Sequence, residues 1–493
     1  MIKQAFSFLL CGTLLFGTAG CSAPAPQEIP ETPDILQEAP LPVDIPFQLP
    51  VYPDFSLHPA YCENRSNLVV GSLLYEPLFA LDAQFQTHPV LCESYSISED
   101  GLIWTLSLQP DVTFSDGTPL TGQAVANALN LVKNGSTHYA PRLKDVRSIT
   151  GNESSLTITL LRPNSALDTL LDIPIALGED PFPPGTGSYI LSRTDEAWTL
   201  LAREDRWQNN ALPAQTIPLT FISKSDDLVF SFDSGDVSLV DVDLMGTNPL
   251  GYSGNYESWD YATTAMLYLG YNTQKGPCQQ ADNRLAIARS IDRSSIVQVD
   301  LARHGIASSL PVHPNHPNYQ QALAQLLDYA PEPPSKPGQE LTFLVNTENT
   351  PRLNAAMRIA DQLNAEGWNV TLSKLPFEDY TAALQRGEFD LYLAEVVLTA
   401  DFDLSSLLLP RGSLNFGLWD DPVTQQLLDD LRAASAEGRS GAALALYTHF
   451  SQHVPIAPIC FKNASVLTRW GQLSGLEPVR GNLFYHMENW TIN

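Results

Sequence analysis

Three histidines close together in the sequence are the first candidates for metal chemistry. His304, His313 and His316 fall in a segment rich in proline, and imidazole nitrogens suit nickel or zinc. No carboxylate or second ligand motif accompanies them, and the sequence has no C-x-x-C pair that would form a thiolate zinc knuckle. We therefore predict a proline-rich surface loop at this segment and no metal site.

Motifs that mark common catalytic sites are also missing. The sequence contains no nucleophile elbow, no phosphate-binding P-loop and no H-E-x-x-H helix. No local motif indicates a Ser-His-Asp catalytic triad. The sequence therefore gives no local reason to expect an enzyme or a cofactor.

The amino terminus carries the pattern of an export signal. Lys3 gives a positive start, residues 5–16 form an apolar run too short to span a bilayer, and Thr-Ala-Gly precedes Cys21. Residues 1–20 are therefore predicted to be a signal peptide. Cys21 resembles the cysteine of a lipoprotein lipobox, which implies that it is diacylated and becomes the new amino terminus. Ordinary cleavage and secretion is the alternative.

The segment after Cys21 predicts a tether. Residues 21–44 contain many prolines and several acidic residues without one basic residue. Such a composition does not collapse into a core and favours extended polyproline geometry, at about 3.1 Å per residue. We predict a disordered Pro- and acid-rich tether that holds the rest of the chain away from a membrane.

Overall charge narrows the possible partners. The 493 residues include 27 Lys and Arg against 55 Asp and Glu, a formal net charge of −28. A chain this acidic repels nucleic acid and anionic headgroups, so no nucleic-acid partner is expected.

Of the six cysteines, Cys62, Cys92, Cys278 and Cys460 remain after the signal peptide and Cys21, and four thiols allow three pairings. The sequence allows two alternatives, a disulfide bridge between Cys62 and Cys92 or buried free thiols.

A series of ordered motifs between residues 74 and 129 defines the elements. Residues 103–108 alternate apolar and polar side chains and predict a strand. The turn Ser-Asp-Gly-Thr-Pro at 115–119 follows, and then a helix with Thr121 as its N-cap. This order closely resembles the peptide and nickel solute-binding proteins of ABC importers.

The resemblance continues in register along the chain. Residues 185–189, Gly-Thr-Gly-Ser-Tyr, match a crossing segment of that family, and residues 284–293 resemble its helix R-x-A-x-x-x-A-I-D-R. Residues 360–393 reproduce a helix, a Gly367 cap, a strand, a second helix and a further strand. Independently of the family, strands that alternate with helices predict mixed α/β sheets.

The resemblance implies an α/β, periplasmic-binding-protein-like fold of the cluster C type, with two lobes, a hinge and an extra middle subdomain. The implied segments are lobe I at 45–76, 186–265 and 461–493, the middle subdomain at 77–185, and lobe III at 266–460. Lobes of this kind close on a ligand by rigid rotation.

Peptide-binding members of the family add an extended peptide as a strand between the lobes and pair its ammonium with an aspartate. Their W-x-A-D-Y segment matches Leu398-Thr399-Ala400-Asp401-Phe402. The resemblance therefore implies ligand-binding roles for these five residues, with Asp401 as the ammonium partner. A turn or helix-capping role is the alternative for Asp401, and Leu398 replaces the family's aromatic wall.

Arg352 lies near the position of a carboxylate-binding arginine in dipeptide-type members. The resemblance implies a possible anion contact there, and a solvated arginine in a first helical turn is the alternative. If no cation is available, ligands longer than dipeptides are favoured.

The implied function is that of a lipoprotein on the outer face of the plasma membrane, or in the periplasm, that passes peptides to an ABC permease and its ATPase. A nickel or metal-chelate receptor of the same family is one alternative. A surface signalling or interaction protein that keeps the fold without transport is another.

Overall fold

A computed structural model describes residues 46–135, 139–336 and 338–493. The predicted signal peptide, Cys21 and the tether lie outside the described residues. Helices and strands alternate through the described part, which confirms the predicted α/β class. No helix in the described ranges is both long enough and apolar enough to cross a bilayer.

The described strands are β1 (Leu49–Val51), β2 (Phe79–Leu81), β3 (Thr87–Pro89), β4 (Cys92–Ile97), β5 (Ile103–Leu108), β6 (Val146–Gly151), β7 (Ser155–Leu160), β8 (Tyr189–Arg193), β9 (Trp198–Ala202), β10 (Thr216–Phe221), β11 (Leu239–Val242), β12 (Tyr256–Tyr271), β13 (Gly305–Ala307), β14 (Glu340–Asn346), β15 (Asn369–Leu375), β16 (Leu391–Val397), β17 (Ile456–Arg469), β18 (Leu473–Ser474) and β19 (Thr491–Ile492). The described helices are α1 (Arg65–Leu74), α2 (Gly122–Asn134), α3 (Ser225–Ser234), α4 (Ala281–Arg289), α5 (Arg293–Ser295), α6 (Gln321–Gln325), α7 (Thr350–Ala365), α8 (Phe377–Arg386), α9 (Ser405–Leu408), α10 (Pro422–Ala433) and α11 (Arg439–His453).

The first body packs around the four-stranded sheet β1-β10-β9-β8. Its core joins Leu49 and Leu219 of the sheet to Val70 of α1 and to Leu483 and Trp490 near the carboxyl terminus. Residues far apart in sequence therefore share this core.

The second body packs around the antiparallel sheet β4-β5-β7-β6. Trp104 and Leu106 alternate with exposed neighbours on β5 and are fully buried against helix α2. The Thr121 side chain accepts a hydrogen bond from the Ala124 amide at 3.1 Å and caps α2. Both the predicted strand at 103–108 and its capped helix are confirmed.

The third body packs around the seven-stranded sheet, whose order is β11-β17-β12-β16-β14-β15 with β13 beside β17. Helices α7 and α8 lead into β15 and β16, and Gly367 and Gly387 end them with φ of +92° and +64°. Left-handed backbone of this kind favours glycine. The element order predicted for residues 360–393 is confirmed.

Two long strands join the first and third bodies. Trp259 and Val466 contribute to the first core, whereas Leu269 and Ile459, farther along the same strands β12 and β17, contribute to the third. The pairing of these strands shifts register between Ala262 and Met266. The domain boundaries given above stay a prediction.

Two details differ from the sequence-based expectations. The helix predicted over 284–293 ends at Arg289, because Asp292 caps the separate helix α5 by accepting from the Ser295 amide at 3.0 Å. The segment around His313 is a loop with exposed residues at Asn315 and Pro317, but His313 itself is 1% exposed and contacts Phe85 and Phe461.

Candidate functional site

Asp401 lies in a tight turn directly after β16. The Leu398 amide donates to the Thr264 carbonyl at 3.0 Å, and the Phe402 amide donates to the Thr399 carbonyl at 3.0 Å. The Asp401 Oδ1 atom accepts from Thr399 Oγ1 at 2.5 Å and from the Asp403 amide at 3.3 Å. Residues 398–402 thus form a turn, and Asp401 makes the local contacts of a turn aspartate.

The Asp401 carboxylate also faces the second body. Its Oδ2 atom accepts from Asn164 Nδ2 at 3.4 Å, and no ion pair with it is found in the described part of the chain. Burial is the main cause that raises the pKa of Asp401, and the nearby Asp403 carboxylate adds to it. A partly buried carboxylate without a bonded cation is the kind of group that an ammonium ion would stabilise.

Asp403, two residues farther on, has the opposite electrostatic environment. Lys144 Nζ contacts its Oδ2 atom at 2.8 Å, and Arg432 Nη2 lies 3.5 Å from Oδ1. These cations hold the pKa of Asp403 at about 2, although burial alone would raise it. Of the two carboxylates, Asp401 is the one without an ion pair among the described residues, and the Arg439 guanidinium only partly offsets the rise in its pKa.

The cavity beside Asp401 is small. It measures about 10 Å³ and is lined by Lys144, Asn164, Asp403 and Arg432, among others. That volume holds about one water molecule. The second and third bodies are therefore closely packed against each other at Asp401.

A larger cavity of about 300 Å³ lies between the first and second bodies. Its walls include Tyr75 and Phe484 together with the charged residues Glu76, Asp172 and Arg480. A volume of this size is at the lower end of the range of small-molecule sites.

A buried charge triad separates the two cavities. Asp172 Oδ1 is 2.5 Å from Arg142 Nη1, and its Oδ2 atom is 3.3 Å from Arg480 Nη1. Arg142 lines the small cavity and Arg480 the large one. Two guanidinium groups share one carboxylate, and burial lowers the pKa of Arg480.

Glu76 is the second acidic group of the large cavity. Its Oε2 atom accepts from Trp207 Nε1 at 2.8 Å, and burial raises its pKa. Arg480 and Glu76 therefore provide a donor-rich and an acceptor group to one enclosed space.

Arg352 is not a free anion-binding residue. Its Nη2 atom lies 3.1 Å from Glu395 Oε2, and Glu395 also contacts Lys462 Nζ at 3.1 Å. Lys462 in turn lies 3.1 Å from Asp243 Oδ2 and is itself 3% exposed. The Nε atom of Arg352 is buried without a hydrogen-bond partner among the described residues, so one donor of the group is unused.

The three histidines do not form a metal site. His304 Nδ1 lies 2.9 Å from Asp260 Oδ2, which raises the pKa of His304, whereas burial lowers the pKa of His313 and of His316 to about 4. Within the described ranges no three metal-binding side chains are grouped together.

Cys62, Cys92, Cys278 and Cys460 are buried free thiols, so the candidate Cys62–Cys92 bridge is not formed. Burial raises the pKa of Cys62 and of Cys92 to about 11. Such thiols have little thiolate character at neutral pH.

Several of these groups could not be found from local motifs. Asn164 is 237 positions from Asp401, and Arg480 is 308 positions from Asp172. Neither residue belongs to a short pattern, and their roles follow from the folding of the chain. Lys462, which follows the apolar run 456–461 on β17, could have been noticed as a cation in a buried strand.

Comparison with known proteins gives the chain a family. The model described as bacterial extracellular solute-binding proteins, family 5 Middle, matches residues 86–414. The glutathione-binding protein GsiB of Escherichia coli K12 is 23% identical over 279 residues, which are 53% of this chain and 54% of GsiB. The chain thus spans about half the length of the curated relatives it matches.

Solved structures establish the same fold over more of the chain. The ABC transporter substrate-binding protein CtaP of Listeria monocytogenes has a TM-score of 0.70 at 16% identity, covering 90% of this chain and 99% of CtaP. The oligopeptide-binding protein AppA of Bacillus subtilis, in complex with a nonapeptide, has a TM-score of 0.58 at 16% identity. The match covers 91% of this chain and 97% of AppA. The predicted periplasmic-binding-protein-like fold is confirmed, and the chain belongs to the bacterial extracellular solute-binding proteins of family 5.

Proposed function

We propose that this protein is an extracytoplasmic receptor that captures peptides between its lobes and delivers them to an ABC permease and ATPase. Family membership supports a solute-binding role outside the cytoplasm. The observation that carries the choice of peptides is the Asp401 carboxylate, which is partly buried and has no ion-pair partner among the described residues. A peptide ammonium would supply the missing charge.

The binding cycle requires the second and third bodies to separate, because the cavity at Asp401 holds about one water molecule. In the proposed cycle, opening exposes Asp401 to an incoming ammonium, and reclosure buries the ion pair. Contacts from both bodies then stabilise the closed complex relative to the open form.

The other predicted site residues have supporting roles in this proposal. Thr399 orients Asp401 through its hydroxyl, and Ala400, Leu398 and Phe402 shape the turn around it. Arg352 is given no anion contact in this proposal, because Glu395 already engages its Nη2 atom and its unpaired Nε atom is buried. This arrangement favours peptides whose carboxylate is not clamped at Arg352.

Anchoring is part of the proposal. Cys21 would carry the lipid, and the acidic, proline-rich residues 21–44 would hold the binding domain off the outer face of the plasma membrane.

A thermal-shift screen tests the ligand class. Peptides of two to eight residues are compared with their amino-terminally acetylated forms and with a nickel–histidine chelate. A ligand at a hundredfold excess over its Kd adds about 2.7 kcal/mol of stability, so a cognate free peptide should raise Tm and its acetylated form should not.

Two results would overturn the proposal. A shift with the chelate and with no peptide would identify a metal-chelate receptor. Equal shifts with free and acetylated peptides would retain peptide binding but remove the ammonium from its recognition.

A further inference from the structure

The β2–β3 turn carries a residue that does not suit it. Phe85 has φ of +61°, a conformation that costs an ordinary side chain free energy and that glycine adopts freely. Asp82 already forms the turn, because its Oδ1 atom accepts from the Gln84 and Gln86 amides at 2.8 and 2.9 Å. Phenylalanine is therefore not needed to make the turn.

The Phe85 ring is buried in a different body from its own strands. Phe79 on β2 belongs to the core of the second body, but Phe85 is 3% exposed and belongs to the core of the third. All other fully buried residues described for that core come from residues 266–461. Phe85 thus crosses from one body into the other.

The receiving site is a socket of aromatic and imidazole rings. Phe85 meets Phe402 edge to face, with ring centroids 5.3 Å apart and an interplanar angle of 82°, and it lies 5.0 Å from His313. Phe461 and His316 complete the socket around Phe402, at 5.8 and 5.1 Å. Edge-to-face ring pairs at these distances add to the gain from burial.

The socket reaches the candidate ligand site through one residue. Phe402 follows Asp401 directly and also has positive φ, +54°. Strained residues of this kind persist where the surrounding contacts hold them in place. Here those contacts include a ring supplied by the other body.

We propose that Phe85 is a positioning residue that latches the second and third bodies together and holds the Asp401 turn in its binding geometry. The inference rests on the proposed opening and closing of the lobes. Because Phe85 is part of the chain, its contact with the third body favours the closed form even when no ligand is bound. The share of closed molecules before binding then sets the apparent affinity.

Hydrogen–deuterium exchange on the full chain, without added ligand, tests the latch. Phe85→Gly removes the ring and relaxes the turn. We expect exchange to rise about tenfold to a hundredfold in residues 311–317 and 399–404 of the opposite body, as expected from losing one buried aromatic side chain. Phe85→Leu should give a smaller rise, because it retains apolar burial.

Leu418→Gly is the matched control. Leu418 is also an apolar residue at positive φ, 57°, but it is 53% exposed and fills no socket. The control should leave exchange in 311–317 unchanged. The latch is refuted if Phe85→Gly alters exchange only within residues 82–90. It is also refuted if Phe85→Gly and Leu418→Gly change the exchange of residues 311–317 equally. The exchange experiment uses no ligand. Its outcome is therefore independent of whether the thermal-shift screen finds a peptide.

Discussion

At the scale of single residues, Asp401 and Asp403 illustrate how two carboxylates in one turn acquire different tasks. Lys144 and Arg432 neutralise Asp403, whose Oδ1 atom also accepts from the Ser405 amide at 3.1 Å. Asp401 has hydrogen bonds but no ion pair among the described residues. In the proposed function, this difference leaves Asp401 available for a charged ligand at some cost in stability to the ligand-free protein.

Asp401→Asn should therefore have opposite effects on affinity and stability. Losing the ion pair with a peptide ammonium should cost about 2–5 kcal/mol, or roughly thirty- to several-thousand-fold in Kd. The ligand-free variant should be as stable as wild type or more so, because a buried carboxylate beside Asp403 is removed. Titration calorimetry and thermal unfolding measure the two quantities.

Acetylated peptide provides the control in a double cycle. Acetylation and Asp401→Asn remove the same ion pair, so their losses should not add. If the variant binds free and acetylated peptides as tightly as wild type does, Asp401 is a turn residue and the site assignment fails.

At the scale of elements, the close approach of α2 to its sheet is a packing constraint. A Cβ atom on Gly122 would lie 1.8 Å from the Ser155 carbonyl oxygen, and one on Gly151 would lie 2.0 Å from the Gly122 oxygen. The first turn of α2 therefore packs directly on the backbone of β6 and β7.

Gly122→Ala should destabilise the protein by about 1–3 kcal/mol or more, because the backbone of Ser155 cannot yield as a flexible side chain would. Gly441→Ala is the control, since nothing lies within 4 Å of its Cβ position in α11. That change should stabilise by up to about 1 kcal/mol. The urea midpoints of the two variants, at unchanged m-values, would measure both changes in the free energy of unfolding. Equal midpoints for the two variants would contradict the packing argument.

The elements also mark the limit of prediction from sequence. Strand β5, the Thr121 cap and the helices ended by Gly367 and Gly387 were predictable because their signals are local. Phe85 was not, because a phenylalanine at positive φ contradicts the local preference for glycine and is explained by a contact made in another body. The pairings of Asn164 with Asp401 and of Arg480 with Asp172 likewise depend on tertiary folding.

At the scale of the whole molecule, closure should depend on pH. Burial lowers the pKa of His313 and His316 to about 4, whereas exposed imidazoles titrate near 6.5. Between these values the closed form binds fewer protons than an open form with exposed rings. Closure is then fully favourable above about pH 6.5 and weakens as pH falls toward 4, by about tenfold per pH unit for each group.

Small-angle scattering at pH 7 and pH 5 would measure this opening. The charged neighbours of the two rings are His316, which lowers the pKa of His313, and Arg439, which lowers the pKa of His316. His313→Asn with His316→Asn keeps an acceptor where each Nδ1 accepts a backbone amide and should remove the pH dependence. An unchanged profile in the double variant would assign it to other groups.

Lipid anchoring can be tested by removing the Cys21 thiol. Cys21→Ala should move the protein from the membrane fraction to the soluble fraction, because it removes the proposed acylation site. Membrane fractionation with a blot measures the distribution. A variant that stays with the membrane would contradict the proposal that Cys21 carries the anchor.

The two long strands that run through both the first and third cores have a thermodynamic consequence. Residues of β12 and β17 contribute to each core, and the strands are hydrogen-bonded to one another across the junction. If one core melts, the pairing that supports the other is lost. The folded chain should therefore unfold in a single cooperative calorimetric transition, with a van't Hoff enthalpy close to the calorimetric one, although it contains several separately packed cores.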